Sequence, residues 1–246
     1  MNADDMVGGS RPPGDVVRHS GAVMWQSGPW KLELRRLVDR CELQYVQMSR
    51  IPLRGWWEDA EQLMQLEKAV FLSAFIVRKL VESGRLSMQV EALAVSVTKY
   101  PARGPAMTPD PGNWEQLERF YDLHAGREES VPMRHLLNWV IHSFVFLVEE
   151  RSDLAGGRVP AGFWCNSDRS KARDVVRVGW RQYRGMLDRV IADDVVSIVT
   201  LRDGHGGHVQ VRSSELMDEE QRRVFNDTHR DFIAEIQARP APSPAD

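Results

Sequence analysis

Asn138 and His142 interrupt the apolar segment Met133 to Val148 with an amide and an imidazole four residues apart. On a helix that spacing puts both side chains on one face, roughly 6 Å apart, within reach of a shared phosphate, helix or water. Arg134, one turn earlier, completes a ladder of guanidinium, amide and imidazole. A neutral imidazole accepts a proton, an amide orients a ribose or phosphate oxygen, and a guanidinium holds a phosphate. These are the parts of a ribonuclease that needs no metal: a histidine deprotonates the ribose 2′-hydroxyl while a cation stabilises charge on the phosphate. The competing reading is a buried pair, Asn138 and His142 bonded to each other and to a backbone carbonyl.

A second constellation is basic. Between Asp168 and Arg189 there are seven basic and three acidic side chains. Arg169, Arg173, Arg177, Arg181 and Arg184 fall on one side of a helical projection, and Ala172, Val175, Val176, Trp180, Tyr183, Met186, Leu187 and Val190 on the other. Read as one amphipathic helix, capped by Ser167 or Asp168 and running to about Ile191, the segment presents a basic face about 20 Å long, enough to follow several phosphates. Arg173, Arg177, Arg181 and Arg184 are therefore candidate substrate-binding residues, with Trp180 and Tyr183 on the core side. The alternative is a solvated face paired with Glu149, Glu150 or the run Asp218-Glu219-Glu220. Asp203, His205 and His208 could ligate a transition metal, but on so glycine-rich a turn they read as an ordinary hairpin loop, and no metal is assigned.

The elements that must position these groups follow from periodicity and breakers. A helix is expected from about Leu32 to Arg50, closed by Ile51-Pro52, and a long core helix from about Trp57 to Glu82, stopped by Ser83-Gly84. Ala92 to Tyr100 alternates like a strand, and Pro101 to Gly112 is a loop. Met133 to Val148 is expected as a second apolar helix. Val195 to Leu201 and His208 to Arg212 flank a glycine-rich reversal and form a hairpin, after which Ser214 caps a polar helix from Glu215 to about Ala238.

Composition sets the frame. The chain has 246 residues, 42% hydrophobic and 27% charged, the balance of a globular protein with a sizeable core. A net charge of −3 excludes indiscriminate nucleic-acid binding by the whole surface, so any such function rests on a local patch. Cys41 and Cys165 form neither a disulfide framework nor a zinc spacing and are read as free thiols. The amino terminus lacks a basic start followed by an apolar stretch, and Ala69 to Val77 is too short to span a bilayer, so a cytoplasmic location with no membrane partner is expected. No phosphate loop, dinucleotide fingerprint or nucleophile elbow is present, and no cofactor is expected.

A long helix followed by one bearing Asn, three residues and His resembles the HEPN domains, helical modules of prokaryotic toxin and defence ribonucleases. The matching run is Leu137-Asn138-Trp139-Val140-Ile141-His142, within about Trp57 to Val148. The family signature has a catalytic Arg where this chain has Leu137. The resemblance therefore implies either a substitute, Arg134 or Arg78 from the preceding helix, or a non-cleaving relative. Arg223 and His229 reproduce the Arg-to-His spacing in a polar segment that reads as a solvated surface helix.

The expected protein is thus α+β and mainly α: a helical bundle core with a small antiparallel β element and disordered termini. One domain is expected over 29–238, with a HEPN-like core at 57–148, an amphipathic helix and hairpin at 160–212 and a terminal helix at 215–238; 1–28 and 239–246 are lead-in and tail. Two functions follow. One is RNA binding or metal-independent RNA cleavage in a prokaryotic defence or toxin system, with His142, Asn138 and Arg134 catalytic and Arg78, Arg173, Arg177, Arg181 and Arg184 on the substrate. The other is a non-catalytic helical module that binds a protein partner or a second copy of the chain.

Overall fold

A computed structural model describes residues 27–48, 56–104, 108–152, 158–202, 208–214 and 223. The expected lead-in up to residue 26, the expected tail, nearly all of the expected terminal helix and the Asp203–His205 turn lie outside the described residues.

Five segments, four of them rich in Val or aromatic residues, pair into one antiparallel sheet. They are β1 (Ala94–Pro101), β2 (Arg127–Pro132), β3 (Ser143–Ser152), β4 (Arg158–Ser167) and β5 (Asp174–Gly179), in the order β2-β1-β5-β4-β3. This sheet overturns the expected helical bundle with a small β element: the protein is α+β with a prominent five-stranded sheet packed against helices. A separate two-stranded hairpin joins β6 (Ser197–Arg202) and β7 (His208–Ser213).

The helices are α1 (Gly28–Met48), α2 (Trp56–Glu82), the short α3 (Met88–Glu91) and α4 (Leu117–Phe120), α5 (Met133–Ile141) and α6 (Trp180–Ala192). The long α2 stops where Gly84 takes a φ of +63°, and Arg85 N–H donates back to Leu80 O at 2.8 Å, which satisfies a carbonyl the helix end would leave open.

One face of the sheet carries the main core. Leu34, Leu37 and Cys41 of α1, Val70, Val77 and Leu80 of α2, Leu136, Leu137 and Val140 of α5, and Tyr183, Leu187 and Val190 of α6 pack with Val95, Val97, Phe163, Cys165, Val176 and Val178 of the strands. The other face carries a smaller cluster of Leu117, Phe120, Tyr121, Val145 and Val175, bordered by Tyr100, Trp114, Phe144 and Trp164. Because both faces are covered, the central strands place apolar side chains on both sides and lose the apolar-polar alternation of a half-exposed strand.

That double burial explains two misread segments. Ser143 to Val148, expected to continue a helix, is a strand: Phe146 and Val148 face the helix layer while Val145 and Leu147 face the smaller cluster. The helix expected from Ser167 or Asp168 to Ile191 is instead a turn at 168–173, the strand β5 and then α6. Val175 and Val176 lie on opposite faces of a strand rather than on one face of a helix.

Polar groups inside the core are bonded. Tyr183, fully enclosed, donates its hydroxyl to Val70 O at 3.0 Å and lies 2.8 Å from Ser73 Oγ. Burial pushes this phenol well above its ordinary range. On the other face Tyr121 Oη donates to Lys171 O and accepts from Asn166 Nδ2 at 2.7 Å. Burial, the largest influence, holds that phenol up at about 12. Cys41 and Cys165 are buried free thiols, each pushed up to about 12 by burial. Gly162 of β4 permits a close approach, since a side-chain carbon there would stand 2.2 Å from Val178 O. No described helix is long and apolar enough to cross a membrane.

Candidate functional site

The helix α5 is strongly one-sided. Met133, Leu136, Leu137 and Val140 are buried, and Arg134, His135 and Asn138 are exposed. The helix ends at Ile141, so His142 is its C-cap (φ −106°, ψ 26°), with its backbone N–H donating to Asn138 O at 3.0 Å. The imidazole therefore stands at the junction between α5 and β3, exposed, rather than in the middle of a helix. This rules out the competing reading of a buried pair: Asn138 and His142 are both on the surface and each meets a third residue.

That residue is Arg78, near the end of α2, which packs against α5. Its Nη1 donates to Asn138 Oδ1 at 2.6 Å and lies 3.3 Å from His142 Nε2. Its Nε donates to Glu82 Oε1 at 2.7 Å. An imidazole nitrogen can receive a guanidinium proton only through its lone pair, so this contact fits the tautomer with the proton on Nδ1. The second terminal nitrogen of Arg78, Nη2, makes no bond among the described residues and keeps two donors for an anion.

Arg134 is held elsewhere. It pairs with Glu91, whose other carboxylate oxygen accepts from Arg212 Nη2 at 2.6 Å. Arg134 still shares a cavity of about 130 Å³ with Arg78, Val81, Glu82, Leu137 and Asn138, so it flanks the cluster without bonding to it. Leu137, at the position of the family's arginine, is 1% exposed and belongs to the core.

The expected basic stripe is divided. Arg173 is exposed in the turn before β5, Arg177 is on β5, and Arg181 and Arg184 are on α6, so the four do not lie along one helix face. Arg177, Arg181 and Arg184 instead line a cleft of about 790 Å³ together with Arg151, Trp180 and Glu42. Arg177 pairs with Glu149 at 2.5 Å, and Arg184 pairs with Glu42 and with Asp188.

Glu82, Glu91, Arg151 and Glu42 are participants that the sequence does not single out. Glu82 could have been found from its spacing four residues after Arg78, the separation at which helical ion pairs form. Glu91 and Arg151 carried no such signal, because their roles depend on contacts across the fold. Among the described residues no three His, Cys, Asp or Glu side chains converge as a metal site would require. No protein-family model, curated protein or solved structure matches the chain.

Proposed function

We propose that this protein binds RNA and handles a phosphodiester, without a metal, at Arg78, Asn138 and His142. One observation carries the reading: the fold brings an arginine from α2 to within 2.6 Å of Asn138 and 3.3 Å of His142, residues 60 and 64 positions away in the chain. Arg78 thereby supplies the guanidinium that Leu137 cannot, with Arg134 at the rim of the same cavity.

In this reading Nη2 of Arg78 holds a phosphate oxygen and Asn138 fixes the guanidinium. His142 Nε2, its lone pair released from Arg78 Nη1 as the substrate enters, takes the proton of the 2′-hydroxyl. The 2′-oxygen then bonds to phosphorus, the bond from phosphorus to the 5′-oxygen breaks, and that oxygen leaves with a proton from solvent. The products are a 2′,3′-cyclic phosphate and a 5′-hydroxyl. The HEPN resemblance, and with it a place in a prokaryotic defence or toxin system, extends to the composition of this cluster and not to a helical-bundle scaffold.

The second reading, a non-catalytic module for a protein partner or a second copy, draws on the way Glu82 and Asn138 already occupy Arg78. Incubating the purified protein with end-labelled RNA in a chelating buffer separates the two. Cleavage with cyclic-phosphate ends, absent when the RNA carries 2′-deoxyriboses, supports the first. Binding without cleavage supports a non-catalytic protein, and no binding at all removes RNA as the ligand.

A further inference from the structure

The cleft beside α6 differs from the charge stripe the sequence implied. Its four arginines come from three elements, Arg151 from β3, Arg177 from β5 and Arg181 and Arg184 from α6, and they converge on a concavity instead of following a line. A linear array suits an extended phosphate backbone, whereas a convergent one suits a compact ligand with several negative charges close together. The volume, about 790 Å³, falls within the ~300–1,000 Å³ of small-molecule sites.

The charges are not all spent. Arg177 and Arg184 have carboxylate partners, but Arg151 and Arg181 are exposed and have no ion pair among the described residues. The first turn of α6 adds to them, since Gly179 at its N-cap provides no side-chain cap and leaves backbone donors at the end where the helix dipole favours anions. Trp180 supplies the other half of a recognition surface. It is partly buried against Tyr183, at a ring separation of 6.3 Å, and it also lines the cleft. An indole beside two guanidiniums with no ion pair among the described residues offers a flat apolar surface for a base next to donors for phosphates.

We infer that this cleft binds a nucleoside phosphate, with the phosphates on Arg151, Arg181 and the start of α6 and the base against Trp180. The site is separate from the Arg78 cluster and does not depend on the RNA reading.

Calorimetric titration of the full chain, in buffer without divalent cations, with ATP, tripolyphosphate and adenosine tests it. ATP should bind once per chain, tripolyphosphate more weakly and adenosine weakest. Arg181→Ala should weaken ATP and tripolyphosphate by about tenfold or more, the loss of a charge-assisted hydrogen bond. Trp180→Ala should weaken ATP and spare tripolyphosphate, with Trp180→Phe used in its place if the alanine variant fails to fold. Arg173→Ala, outside the cleft, should change nothing.

Several results would overturn the inference: no binding of ATP or tripolyphosphate at millimolar concentration, adenosine binding as tightly as ATP, or Arg173→Ala acting as strongly as Arg181→Ala. Equal loss of ATP and tripolyphosphate in the folded Trp180 variant would remove the base platform. A single-stranded RNA that displaces ATP, binds more tightly and is weakened equally by Arg181→Ala would assign the cleft to RNA instead.

Discussion

Arg78 is held by three neighbours, Glu82, Asn138 and His142, whereas Arg151 and Arg181 face their cleft with no ion pair among the described residues. The first guanidinium is positioned before any ligand arrives. A fixed group loses little conformational freedom on binding, so more of its interaction is left for stabilising a transition state. Arg151 and Arg181 are the same side chain without such partners among the described residues and keep more freedom. They can follow ligands of different shape, at the cost of ordering them each time. Orientation is what chemistry needs, and adaptable charge is what binding needs.

The largest test of this contrast concerns the position where the family resemblance places its arginine. Leu137 is enclosed by the core, so Leu137→Arg buries an uncompensated charge and should cost about 3–5 kcal/mol of stability in urea denaturation, with no gain in cleavage. A variant of native stability that cleaves faster would mean that position 137, not Arg78, is the natural seat of the cation.

His142→Ala should come next in size and act on rate alone. A general base is worth about a hundredfold to ten-thousandfold, while loss of an exposed side chain should leave stability within about 0.5 kcal/mol. Unchanged cleavage, or a large fall in melting temperature with no activity in either form, would remove the histidine from the chemistry.

Arg78→Lys sharpens the comparison at smaller scale. An ammonium keeps the charge but cannot reach Glu82, Asn138 and His142 with one rigid fork, so RNA cleavage should fall by about tenfold, with binding less affected. Unchanged kcat and KM would show that only charge matters there.

The smallest effect is one of pH. Glu82 is held near 2, against an ordinary 4.5, first by its hydrogen bond from Lys79 and then by that from Arg78. A depressed carboxyl keeps its charge as pH falls past 4.5, and the stability it contributes is complete above 4.5 and is lost progressively as pH falls from there through about 2. Its carbon-13 shift should therefore still report a carboxylate at about pH 3.5. A midpoint at the ordinary value would mean that Arg78 is free to swing like the cleft arginines.

How much of this was legible in the sequence varied with the reach of the interactions. The carboxy-terminal end of α2 was readable because Ser83-Gly84 is a local signal, and the β6–β7 hairpin because its glycines are local too. The sheet was not. β3 and β5 are covered on both faces, so Phe144 to Val148 shows a continuous apolar run, and Arg173, Arg177 and Arg181 keep a four-residue step across a turn, a strand and a helix by coincidence. At the site, the spacing of Asn138 and His142 pointed to a shared partner, and Arg78 was one of two candidates. Which of them it was depended on the packing of α2 against α5, and the engagement of Arg134 by Glu91 depended on a contact 43 residues away in the chain.

The two cysteines give this architecture a built-in clock. Cys41 sits on the helix layer and Cys165 on the strand beneath it, both enclosed and both about 12 in pKa, so neither presents a thiolate to solvent at neutral pH while the layers are together. Labelling of either by an alkylating reagent must wait for that interface to part. If the two react in step, the helices and sheet separate as one cooperative unit. If Cys41 reacts first, α1 peels away alone, and the wall of the arginine cleft that carries Glu42 is the first part of the molecule to open.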